Sequence, residues 1–296
     1  MSRRVVARIV GGIGNQLFCY AAARRLALKN SASLVLDVDF FRSDINYGRE
    51  YRLDCFALAP HEVLSSSSLL PAWLDHRWWR VKRKLAAYGL IPGRDWLIER
   101  NHAEFEPRIL SFDVTRTVLL DGYWQDERYF ADIGDILRRD LVFRLDADTR
   151  QHEMAARIAE SNAVAVHCRR LQGSTLSNPS GAVESLNSSY YLNAIETLAD
   201  RVPHAEFFCF GDDPRWLMEH WPANLPVTVV HNSGRLGELT DLWLMSMCRH
   251  FIIANSSFSW WGAWLGATPG KIVIAPRSQG LPYQLRSAAG WIELSW

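Results

Sequence analysis

His167, Arg169 and Arg170 close an apolar run, from Ala163 to Gly173 (AVAVHCRRLQG), in which valines alternate. Such a run reads as a buried strand of a parallel sheet. A histidine and two arginines at its carboxyl end lose hydration unless something anionic meets them. Ligands of open α/β sheets bind outside the carboxyl ends of the strands. The planar guanidinium fork pairs its donors with phosphate oxygens, so phosphate binding is the chemistry these residues suit. The plainer alternative is a structural arginine paired with a carboxylate.

A second segment, Gly11-Gly12-Ile13-Gly14-Asn15-Gln16, stands between a predicted strand and a predicted helix. Its glycines permit positive φ and close backbone approach, and a helix N-terminus presents N–H groups to an anion or a sugar hydroxyl. As a dinucleotide fingerprint it is incomplete, because Leu17 fills the place of the third glycine. Asp37 and Asp39 lie where a ribose-binding acid would sit. An NAD(P)-dependent oxidoreductase therefore stays open, beside a plain tight βα turn. A third segment, Asn255 to Trp261 (NSSFSWW), follows another apolar run. Ser256 and Ser257 at a helix start suit a phosphate, or form an ordinary N-cap above a tryptophan core. Asp241, upstream, suits a base edge or an arginine.

Metal chemistry finds little support. Asp37-Val38-Asp39 and Asp146-Ala147-Asp148 both spell D-x-D, a spacing used to hold divalent cations, but the second precedes a predicted helix and reads better as capping. Gly211-Asp212-Asp213 fits turn chemistry or a ribose contact. The nine histidines are dispersed, and the five cysteines are scattered without CxxC spacing, so no metal site and no disulfide framework are expected. Buried free thiols fit a reducing, cytoplasmic setting. A formal net charge of +1 gives no general pull toward nucleic acid. No apolar stretch reaches the length of a membrane span. The stretch from Trp73 to Leu85 (WLDHRWWRVKRKL) is basic and aromatic; it reads equally as a helix lying on the inner face of an anionic membrane and as a solvated helix with its tryptophans turned inward.

Elements that would position these residues alternate in the βα manner. Strands are predicted over Val5–Val10, Leu34–Val38, Thr117–Leu120, Val164–His167, Glu206–Phe210, Val227–His231, Phe251–Ala254 and Ile272–Ala275, the last strong strand. Helices are predicted over Asn15–Lys29, Glu127–Arg139, Thr149–Glu160, Ser188–Asp200 and Leu236–Arg249, with a helical turn over Trp260–Gly266. Phe40 to Pro107 reads as irregular. Two α/β halves describe this order, with residues 1–148 in one domain and 149–296 in the other.

The blocks GGIGNQLFCYAAARRLAL, YRLDCF, DGYWQDERYF, VAVHCRR, FGDD, DLWLMSMCRHFIIANSSFSWWGAWLG and KIVIAPR follow one another in one collinear order, and the likeness they carry covers Ile9 to Pro276. Together they resemble the family-11 glycosyltransferases, the α-1,2-fucosyltransferases. The resemblance implies an α/β protein with two Rossmann-like domains facing across a cleft (GT-B type), an N-terminal acceptor-side domain and a C-terminal GDP-sugar-binding domain. It implies inverting transfer of fucose from GDP-fucose, without a metal or other cofactor, to a hydroxyl of a galactose-terminated glycan at the 2-position. Arg169 would bind the β-phosphate and stabilise departing GDP, and Asn15 would join it as a catalytic residue. His167, Asp241, Ser256, Ser257 and Phe258 would line the nucleotide pocket, and Gly12 and Gly14 would approach it from the opposite domain. Arg170 would buttress the loop.

Two departures stand out. Leu171-Gln172-Gly173 replace the family's Gly-Asp-Tyr, and Val183 and Glu184 stand where a His-Gly pair is usual. The lost acid leaves the general base unassigned, with Glu184 and Asp126 candidates by position, and it keeps open a catalytically impaired sugar-nucleotide-binding protein.

Overall fold

A computed structural model describes residues 2–43, 48–64, 96–102, 104–169, 186–277 and 285–296. The stretch from Trp73 to Leu85, Arg170 to Gly173, Val183 and Glu184 lie outside the described residues. The chain divides into two compact units, Met1–Arg144 and Leu145–Trp296.

The N-terminal unit is built on a five-stranded parallel sheet of order β3-β2-β1-β5-β4. Its strands are β1 (Arg4–Arg8), β2 (Ser33–Asp37), β3 (Glu62–Leu64), β4 (Trp96–Ile98) and β5 (Thr117–Asp121). Central β1 registers Val6 against Val35 on one side and Leu119 on the other. Its middle residues are buried, as a strand covered on both faces requires. The helix Ile13–Lys29 follows β1 and buries twelve of its seventeen residues, including Leu17, Phe18, Tyr20 and the Ala21–Ala23 run. It starts at Ile13 rather than Asn15, because Gly11 (φ +77) turns the chain and Gly12, extended at φ −71, takes the N-cap position.

Two expectations fail in this unit. The segment Phe40 to Pro107, expected to be irregular, supplies β3 and β4. Both are only three residues long and lie in apolar stretches of just two and three residues, Val63-Leu64 and Trp96-Leu97-Ile98, too short to stand out as strands. The helix expected over Glu127–Arg139 is instead two 3₁₀ turns, Glu127–Tyr129 and Ala131–Ile133, followed by the helix Gly134–Asp140. Phe130, at φ −147, breaks the run: its ring is fully buried and packs on Phe18, so the core dictates a backbone that helix propensity does not.

The C-terminal unit carries a six-stranded parallel sheet of order β11-β10-β9-β6-β7-β8. These strands are β6 (Asn162–Cys168), β7 (Ala205–Gly211), β8 (Val227–Val229), β9 (His250–Ile252), β10 (Val273–Pro276) and β11 (Ile292–Leu294). The chain runs outward from β6 through β7 to β8, then returns to the other side of β6 at β9, the doubly wound order of a Rossmann sheet. Strand β11, beyond the predicted last strand, adds a parallel edge. Asp148 caps the helix Thr149–Glu160 with Gln151 in a capping box, so this D-x-D is a helix start. Asn187 likewise caps the helix Ser188–Ala199.

Helix Ser257–Leu265 begins three residues before the expected helical turn. Trp260, Trp261 and Trp264 on it form a buried aromatic cluster with centroids 5.1–6.4 Å apart. The helix Gly237–Ser246 lies close against it: a Cβ at Gly262 would stand 2.7 Å from the Met245 sulfur.

Candidate functional site

The strand order of the C-terminal sheet reverses between β6 and β9. A crevice outside the carboxyl ends of these two strands is where such sheets take ligands. His167 and Arg169 leave β6, while Asn255 to Phe258 leave β9, whose Ile252 pairs with Val166. Two of the predicted motifs, far apart in sequence, thus meet at the reversal because the strands beneath them are neighbours.

His167 is 2% exposed, and its ring packs on Phe258 with centroids 5.2 Å apart. Burial, reinforced by the nearby charge of Arg169, pulls the imidazole down from 6.5 to about 3, so the ring is neutral near pH 7. Its Nδ1 has no hydrogen-bond partner among the described residues. A buried polar nitrogen left so costs about 1–3 kcal/mol, which is recovered if a ligand supplies the partner. The His167 carbonyl accepts from the buried Tyr191 hydroxyl at 3.2 Å, and the adjacent Tyr190 hydroxyl donates to the Ile253 carbonyl at 2.6 Å. A Tyr-Tyr pair on one helix therefore fastens the ends of both strands that border the reversal.

Arg169 stands one residue beyond β6, with Nε 3.5 Å from the Asp212 carboxylate, and both side chains are about one-third exposed. Such an exposed, long pair is weak, and a phosphate can displace the carboxylate. The plain reading of Arg169 as a paired arginine and its reading as a phosphate ligand are thus compatible. Gly211 sets this geometry: at φ +134, a Cβ there would fall 1.8 Å from the Cys168 carbonyl oxygen, and the Asp212 N–H donates to that carbonyl at 3.2 Å.

Ser256 occupies the N-cap position of the helix Ser257–Leu265 without making a side-chain cap hydrogen bond. The ordinary N-cap reading therefore does not hold for its hydroxyl. Asp241, on the helix Gly237–Ser246, accepts from Asn232 Nδ2 through its Oδ1 at 2.7 Å, and burial raises its carboxyl to about 6.

In the N-terminal unit the strand order reverses between β1 and β5. Gly12 and the buried Gly14 bracket the helix start, and a Cβ at Gly12 would touch the Arg49 guanidinium at 3.7 Å. Asn15 Oδ1 accepts from Gln125 Nε2 at 2.7 Å, tying the glycine turn to the loop after β5. Gln16, fully buried, donates to the Gly11 and Glu50 carbonyls and accepts from the Arg52 N–H. Gln16 and Gln125 lie in segments the sequence singles out and Arg49 does not, but the contacts each makes are created only by the fold. Among the described residues, no group of three His, Cys, Asp or Glu side chains could hold a metal ion, and no helix is long and apolar enough to cross a membrane.

The two Rossmann-like α/β units give the chain a GT-B fold. A family model described as Glycosyl transferase family 11 matches residues 94–291, more than half of the chain, and the chain belongs to that family. It is 31% identical over 282 residues to an alpha-1,2-colitosyltransferase of Escherichia coli, covering 92% of this chain and 91% of the relative. It is also 31% identical over 283 residues to the O-antigen biosynthesis glycosyltransferase WbnK of Escherichia coli, covering 90% and 92%. Among solved structures it is similar in fold to the fucosyltransferase NodZ from Bradyrhizobium, with a TM-score of 0.56 at 15% identity, covering 92% of this chain and 95% of that one.

Proposed function

We propose that the protein is an inverting, metal-independent fucosyltransferase that moves fucose from GDP-fucose to a hydroxyl of a galactose-terminated glycan, at the galactose 2-position. The observation that carries this reading is the β6–β9 reversal, where Arg169, the neutral ring of His167 and Ser256 gather at one sheet edge. Breaking the sugar–phosphate bond develops negative charge on the leaving GDP, and a fixed cation stabilises it most where charge grows. In this reading the guanidinium of Arg169 exchanges Asp212 for the β-phosphate, and the nucleoside engages His167, Phe258 and Asp241. The N-terminal unit, with Gly12, Gly14 and Asn15, takes the acceptor side.

The α-1,2 linkage draws support from the colitosyltransferase relative. The same relative favours a second reading in which the sugar is colitose, a fucose lacking one ring hydroxyl. Turnover of GDP-fucose and GDP-colitose on galactose-terminated acceptors, with and without EDTA, tests both. Arg169→Lys should fold normally yet lose about 10²–10³ in kcat, since an ammonium cannot copy the guanidinium fork. Near wild-type turnover by that variant, or a loss of turnover with EDTA, would overturn the assignment.

A further inference from the structure

We propose that His102, oriented by the buried carboxylate of Glu99, is the base that takes the proton of the acceptor hydroxyl. This rests on the reading of the N-terminal unit as the acceptor side.

Glu99 follows β4 directly and is 4% exposed. One of its oxygens accepts the Trp124 N–H at 3.0 Å, and the other accepts the Tyr123 N–H at 2.8 Å together with the Nδ1–H of His102. Gly122 makes room for it, because a Cβ there would stand 2.4 Å from the Glu99 Cβ. Trp124, with its uncommon positive φ of 56°, presents its N–H to this carboxylate. The His102 ring lies 5.4 Å from the Tyr123 ring, and its side chain is about one-third exposed. These residues leave the carboxyl ends of β4 and β5, and β5 is the neighbour of β1, whose end carries the glycine turn. Gln125, one residue after Trp124, bonds Asn15.

A carboxylate offers only acceptors. Nδ1 therefore carries the ring hydrogen, and Nε2 on the far side of the ring holds a lone pair on a side chain that substrate can reach. A buried carboxylate that sets the tautomer and supports the imidazolium is the arrangement by which triad histidines act as bases. Asp126, the positional candidate, differs: both its oxygens are engaged by the Arg128 guanidinium, and it caps a 3₁₀ turn.

In the step itself, the acceptor oxygen forms a bond to the anomeric carbon with its lone pair. The bond from that carbon to the phosphate oxygen breaks, and its electron pair leaves with GDP. The hydroxyl proton passes to Nε2 of His102, and from there to solvent after product release.

The test uses the full-length chain. His102→Ala should lower kcat by about 10²–10⁴, leave the KM for GDP-fucose within about threefold, abolish the acidic limb of the kcat profile, and recover activity with added imidazole. Glu99→Gln should lower kcat as well, because an amide facing Nδ1 favours the opposite tautomer. Retained kcat in His102→Ala, or a loss without imidazole rescue and with an unchanged acidic limb, would overturn the proposal. Nitrogen-15 NMR of labelled histidine reads the tautomer without any donor. A ring protonated at Nε2 rather than Nδ1 would overturn the dyad, whereas failure of the wild type to use GDP-fucose would count against the donor reading alone.

Discussion

At the scale of single residues, burial alters the ordinary titration of two residues of the proposed donor site, His167 and Asp241. His167 resists protonation until about pH 3, whereas in the unfolded chain it takes a proton near 6.5. As pH falls through that window the unfolded state binds the extra proton, so stability drains by up to about 1.4 kcal/mol per pH unit. Asp241 acts in the opposite sense. Its carboxyl is raised from 3.8 to about 6, so the folded state binds the proton first and acid stabilises it. Between about pH 6 and 4 the two partly cancel. Urea unfolding across that range should therefore show a steeper acid loss in Asp241→Asn than in the wild type, and a reversed trend in His167→Gln. Parallel slopes in all three proteins would show that these two groups do not govern the response.

At the scale of elements, positioning is done by hydroxyls and tight backbone contacts that carry no charge. Tyr190→Phe removes the donor held by the Ile253 and Ile274 carbonyls, and Tyr191→Phe the one held by His167. Each loss should cost about 1–3 kcal/mol of stability, read as a lower urea midpoint. Calorimetry should show GDP affinity falling more for Tyr191→Phe, whose carbonyl partner belongs to His167 itself; equal effects would place the latch's role in stability alone. The same elements show what could be read before any fold was known. Long strands such as β6, buried on both faces, announce themselves as apolar runs, and the glycine turn and the serines after β9 mark their own ends. Strands β3 and β4 lie in apolar stretches of only two and three residues bounded at once by polar ones, whereas the equally short β8 and β9 sit in longer apolar runs that mark them. The Glu99–His102 pair escaped for that reason: it hangs from one of these short strands, and its meaning comes from Gly122 and Trp124 across the sheet, more than twenty residues away.

At the scale of the whole molecule, each unit has its own parallel sheet and its own reversal of strand order. A ligand that binds one unit stabilises that unit by mass action, about 2.7 kcal/mol at a hundredfold excess over Kd. GDP should accordingly slow amide exchange in β6, β7 and β9 while leaving β1, β2 and β5 near their free rates; equal protection of both sheets would refute a donor site confined to the C-terminal unit. The doubly wound order also bears on how the protein comes into being at the ribosome. One wall of the β6–β9 crevice is translated by residue 168, whereas its other wall pairs through residues 250–252. A nascent chain ending anywhere in the helix Gly237–Ser246 carries the residues of β6, β7 and β8 but not those of β9, which pair with one side of β6. The crevice that we propose takes the donor is therefore a late product of synthesis, complete only when β9 pairs with a strand made more than eighty residues earlier, and on that reading nucleotide can stabilise the unit only after β9 is in place.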